Sequence, residues 1–137
     1  MSPSLKQNDP YMKRTLMLVR GKPQQIPEPD HNGYLHKYSQ KRTGGAHWKP
    51  AYFVLKDACL YMFRDKIENV TQASAVYYLH GYRVRSKTIE NKKHTFELVP
   101  PNRETIKPMF LMAASEIERK SWIAALEYSI DRWIEID

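Results

Sequence analysis

Between Asn32 and Val99, apolar and polar residues alternate in short runs, most of them closed by Gly, Asp, Asn or Pro, the pattern of β-strands joined by turns. The first predicted strand is Gly33–Tyr38, followed by a loop from Ser39 to His47 with Gly44 and Gly45 at its bend. Lys49–Lys56 and Ala58–Arg64 come next, with only Lys56 and Asp57 between Leu55 and the following apolar run. Ser74–Leu79 and Tyr82–Arg85 lie on either side of Gly81. His94–Val99 places Phe96 and Leu98 on one face, and Met109–Ala113 is the last strand.

The period then changes. Ser115 and Glu118 have the spacing of a capping box, in which the hydroxyl accepts from the third helical N–H. Trp122, Leu126, Ile130 and Trp133 recur at helical spacing, and Ile123 and Ala125 widen the stripe. Seven strands and one terminal helix predict a mainly β, α+β domain over residues 32–135. Its form is a bent antiparallel barrel or sandwich capped at one end by the helix. Residues 1–31 read as an N-terminal extension. Pro3, Pro10, Pro23, Pro27 and Pro29 and the run Gln24–Asp30 give it the character of a linker, and only Tyr11–Val19 resembles an ordered piece.

The chain has 137 residues, 42% of them apolar, enough for one core. Its mean hydropathy of −0.66 and its short apolar runs argue against a membrane-spanning helix. The first residues lack the apolar centre of a signal peptide. Cys59 is the single cysteine, so no disulfide framework is expected, and a reducing, cytoplasmic setting follows. The net charge of +7 is polarised. Counting Lys and Arg against Asp and Glu gives +2 for residues 1–30, +4 for 31–65, +4 for 66–107 and −3 for 108–137. A basic middle and an acidic helix suit an anionic partner, such as a phosphoinositide headgroup, an anionic leaflet or a nucleic acid.

Gly33-Tyr-Leu-His-Lys37, Trp48-Lys-Pro-Ala-Tyr-Phe-Val-Leu55 and Cys59-Leu-Tyr-Met-Phe63 resemble the opening three strands of a pleckstrin-homology (PH) domain. His94–Leu98 is similar to its sixth strand, and Phe110–Ser115 with Glu118–Ile123 to its seventh strand and helix, Trp122 standing as the helix tryptophan. The resemblance implies a seven-stranded bent sheet closed by the helix, with an open mouth at the other end. It implies a non-catalytic module that binds phosphoinositides or anionic membrane lipids through basic residues of the first two strands.

Lys37 and Lys49 match two of those residues, and Ala51 stands where phosphoinositide-binding members carry an arginine. That loss removes a bidentate phosphate contact, so modest affinity and selectivity are expected. Lys41 and Arg42 in the first loop, with Lys87, Lys92 and Lys93 between the fifth and sixth strands, complete the candidate set. Spectrin-type PH domains, which also lack the arginine, hold headgroups in an outer groove between those two loops. Inner mouth and outer groove are both open readings.

The rival function is a protein-interaction PH domain of a signalling scaffold, of which a peptide groove like that of PTB domains is a variant. A monomer with peripheral membrane association is expected. His31, His36, His47, His80 and His94 have no metal-ligand spacing, so no metal or cofactor is expected. Catalytic motifs are likewise missing from the sequence, and an enzyme is not expected. The many tyrosines among basic residues are better explained by strand propensity than by base stacking, so no nucleic-acid partner is expected.

Overall fold

The computed structural model describes residues 26, 28–40, 44–64 and 73–136, with only the backbone of 133–136. The described strands are β1 His31–Gln40, β2 Ala46–Lys56, β3 Cys59–Phe63, β4 Ala75–Tyr78, β5 Arg83–Ser86, β6 Thr95–Val99 and β7 Met109–Met112, and the helix α1 is Glu116–Ile136. They form one antiparallel sheet in the order β4-β3-β2-β1-β7-β6-β5. β1 is the hinge of the bend, pairing with β2 along its whole length and with β7 through His36 and Lys37. The pairs Ser39–His47 and Gln40–Ala46 extend the first hairpin, so its turn is shorter than the predicted loop of Ser39 to His47.

The alternation in each strand sorts residues onto two faces. Leu35, Ala51, Phe53, Leu55, Leu60, Met62, Leu98 and Leu111 face the core. β3 is buried on both sides, because Cys59, Tyr61 and Phe63 join Val54 in a second apolar cluster on the outer face. Ile26, only 3% exposed, belongs to that cluster. The extension therefore touches the barrel at Ile26, and the sequence offered no periodicity that showed it. Tyr11–Val19 lies outside the described residues.

One end of the barrel is shut by α1. Ser115 caps it, its Oγ accepting from the Glu118 N–H at 3.2 Å, while the Glu118 carboxylate reaches back to the Ser115 hydroxyl at 3.5 Å. Trp122, Leu126 and Ile130 are buried as the stripe requires; the side chain of Trp133 lies outside the described residues. Trp122 packs edge-on to His31 at 4.5 Å and over the Gly33 backbone, where a Cβ would stand 3.7 Å from the indole nitrogen. Gly33 also has φ of +154°, a conformation other residues rarely adopt.

A polar node fastens the same end. Asp57 and Ala58 turn β2 into β3 with φ of 51° and 60°, as a tight two-residue hairpin turn needs. Their N–H groups donate to Asp30 Oδ2 at 3.0 Å and Ser129 Oγ at 2.8 Å, and Ser129 Oγ donates to Asp30 Oδ2 at 2.9 Å. The node ties the chain before β1, the turn and the helix together.

Trp122 is 2% exposed, so Trp122→Ala should lower stability by about 3–5 kcal/mol in chemical denaturation. A midpoint within experimental error of the parent would overturn the assigned packing. Ile26→Ala should cost about 2 kcal/mol or more if Ile26 is part of the folded unit. A free linker residue would cost nothing measurable.

Candidate functional site

At the end opposite the helix, the inner face changes from apolar to cationic. Lys37 follows Leu35 on the inner face of β1, and Lys49 is its direct cross-strand partner on β2, just as Ala51 is the partner of Leu35. Lys37 is half-buried. Burial lowers its pKa from the usual 10.5, and the Arg64 guanidinium pushes it the same way. Lys49 is exposed.

Arg64 was not among the residues singled out from sequence. It follows β3, sharing parity with Leu60 and Met62, and the β2–β3 register continued one residue past the Tyr52–Phe63 pair sets it beside Ala51. Its N–H donates to Ser74 Oγ at 3.1 Å, and its charge acts on Tyr77 as well as Lys37. Burial raises the Tyr77 hydroxyl pKa; Arg64 opposes that rise and Tyr82 adds to it. A guanidinium thus stands one strand away from the position where the resemblance lacks one. The parity of Leu60, Met62 and Arg64 was visible in the sequence; the neighbouring register was not.

Of the remaining candidates, Lys87, Lys92 and Lys93 are on other surfaces. Lys41 and Arg42 lie outside the described residues. Lys87 sits outside the barrel, 3.9 Å from Glu97 and 5.9 Å above the Phe110 ring. Glu97 is buried at 2% exposure and is also 3.8 Å from Arg85, so the two cations neutralise a desolvated carboxylate. Lys92 and Lys93 are exposed on the β5–β6 turn, formed with positive φ at Glu90 and Asn91. That turn rests on the outer face of β1, where the Tyr38 hydroxyl donates to Glu90 Oε2 at 3.1 Å. Tyr38 also packs against Trp48 at 5.2 Å and Phe110 at 5.8 Å. The structure therefore brings Lys37, Lys49 and Arg64 together at the mouth, and it sets Lys87, Lys92 and Lys93 apart on the outside, beside an acidic Glu90.

Among the described residues no helix is long and apolar enough to cross a membrane. The family model for the PH domain matches residues 29–131. A "Probable serine/threonine-protein kinase" of Dictyostelium discoideum is 31% identical over 105 residues, which are 76% of this chain and 5% of the kinase. The SH3 domain-binding protein 2 of Homo sapiens is 28% identical over 107 residues, 75% of this chain and 18% of that protein. The chain thus spans less than a fifth of either relative. Among solved structures, the C-terminal PH domain of pleckstrin in complex with D-myo-Ins(1,2,3,4,5)P5 is 25% identical. It superposes with a TM-score of 0.57 over 72% of this chain and 95% of that one.

The lowered Lys37 pKa fixes the sign of a stability effect. Between the folded pKa and 10.5 the unfolded chain holds a proton that the folded chain does not, so stability rises with pH through that window. Below it, the charged, partly desolvated lysine is a standing cost. Lys37→Met should therefore raise the thermal midpoint at neutral pH, with the gain shrinking above about pH 10. A lowered midpoint would contradict the assigned surroundings of Lys37.

Proposed function

The chain belongs to the PH-domain family, and on that footing we propose that its cationic mouth holds the phosphates of a phosphoinositide headgroup. The domain then acts as a non-catalytic module that brings the protein carrying it to an anionic membrane surface on the cytoplasmic side. The observation that carries this reading is the convergence of Lys37, Lys49 and Arg64 on one face. Like charges set directly across a strand pair repel, and an anion between them converts repulsion into attraction.

The chemistry of the three groups suits phosphate. Two ammonium groups supply point charges, and one guanidinium supplies the planar fork that grips two phosphate oxygens. The similar pleckstrin domain was solved with an inositol pentakisphosphate, which supports the same ligand class here. Ala51, 4% exposed and packed in the core, leaves no second fork, which favours modest affinity and selectivity. Lys41, Arg42, Lys92 and Lys93 add a diffuse attraction to the leaflet, and Lys87 adds less because Glu97 holds it. The rival, a scaffold module whose lipid binding is incidental, draws its support from the same buried Ala51.

Sedimentation with vesicles containing phosphatidylinositol bisphosphate, against vesicles with phosphatidylserine alone, tests the proposal at two salt concentrations. Each basic residue near an anionic surface contributes on the order of 1 kcal/mol. Lys37→Ala with Arg64→Ala should thus reduce binding roughly tenfold or more. Lys92→Ala with Lys93→Ala should do less and lose its effect at high salt. The reverse order would move the site to the outer groove, and negligible losses for both pairs would leave the protein-interaction reading.

A further inference from the structure

α1 carries apolar residues on two opposite faces. Trp122, Leu126 and Ile130 are buried against the barrel. On the other side, Ile117, Ser121, Ala124 and Tyr128 follow one another at spacings of four, three and four residues, which sets them in one outward ridge. Ile117 is 79% exposed and Tyr128 65%, the highest values among the large apolar side chains of the described residues. The outward face of a helix packed on one side is ordinarily charged or polar. Here the four ridge positions carry no charge. Two small residues between two large ones form a saddle that another helix can approach closely.

The charges beside the ridge select that helix. Lys120 and Glu127 are exposed and flank the ridge on the same side, about two turns apart. Neither lies within ion-pair distance of an opposite charge among the described residues. Against a second copy laid parallel, Lys120 meets Lys120 and Glu127 meets Glu127, and both pairs repel. Laid antiparallel, each Ile117 meets the other copy's Tyr128, and Ser121 meets Ala124 at the centre. Each Lys120 then reaches the other copy's Glu127. Flanking charge pairs of this kind set orientation and partner choice between packed helices. A single two-fold axis gives two apolar contacts and two ion pairs at once.

We propose that the outward ridge of α1 docks antiparallel on the same ridge of a second copy of this chain, forming a symmetric dimer in place of the monomer expected from sequence. A contact of about three helical turns is small beside the roughly 1,600 Å² of a standard interface, so the dimer is weak and forms as concentration rises. The cationic mouth lies at the other end of the barrel. Both mouths therefore stay free, and dimerisation does not depend on lipid.

Sedimentation equilibrium of the whole chain, from micromolar to millimolar concentration, tests the dimer, each variant first being shown to keep the parent melting midpoint. The mass should pass from monomer to dimer across that range. Lys120→Glu alone, or Glu127→Lys alone, should weaken self-association roughly tenfold or more. The double variant should restore it, and an equimolar mixture of the two single variants should form a heterodimer. Ala124→Arg should abolish association by filling the saddle. A chain that stays monomeric at millimolar concentration overturns the proposal. A dimer that neither single charge reversal weakens joins through another surface and overturns it too, as does a double variant no tighter than the singles.

Discussion

Closing one end of the bent sheet is the constraint from which the rest follows. Trp122 over Gly33 and His31, with Leu126 and Ile130 behind it, fills that end with apolar volume. The Asp30–Ser129 node then fixes the helix to the β2–β3 turn. Because that end is shut, the inward rows of β1, β2 and β3 can meet solvent only at the other. There each row changes character, from Leu35 to Lys37 and from Met62 to Arg64, while on β2 the buried Ala51 gives way to Lys49. The core and the site are successive stretches of the same rows.

The mouth is a place where stability has been given up. Burial already disfavours the charged form of Lys37, and Arg64 disfavours it further. Among the described residues neither group has a carboxylate within ion-pair distance, in contrast to Lys87 and Arg85, which share Glu97. A desolvated cation beside other cations strengthens its attraction to any anion that enters, because water screens the pair less. Lysines on the solvated outer turn lack that advantage. This difference in surroundings, more than the number of cations, separates the inner set from the outer one.

The strands were legible because several of the apolar runs have period two, the others are short, and the turns carry their own chemistry, most clearly at Asp57; the helix was legible in the capping box of Ser115 and Glu118. The continuous run Cys59-Leu-Tyr-Met-Phe63 has the form of a strand buried on both faces, which β3 is. Lys37 and Lys49 share one face because strand parity, a local property, sets Lys37 with Leu35 and Lys49 with Ala51. Arg64 escaped because its role comes from the register between neighbouring strands, which local pattern does not specify. Lys87 stands in the candidate set because its loop position is visible in the sequence, whereas its partner Glu97, across the strand pair of β5 and β6, is not. Ile26 escaped for the same reason: its partners Val54, Tyr61 and Phe63 are distant in sequence.

We propose that phosphate is held between Lys37, Lys49 and Arg64 on the inner face. It is tested most directly by following lysine Nζ and arginine Nε resonances while titrating soluble inositol trisphosphate. Phosphate at the mouth would give the largest shifts at Lys37 and Arg64, smaller ones at Lys49, and a Lys37 pKa that climbs back toward 10.5 as the anion binds. Shifts confined to Lys87, Lys92 and Lys93, or a Lys37 pKa unmoved at saturation, would contradict it.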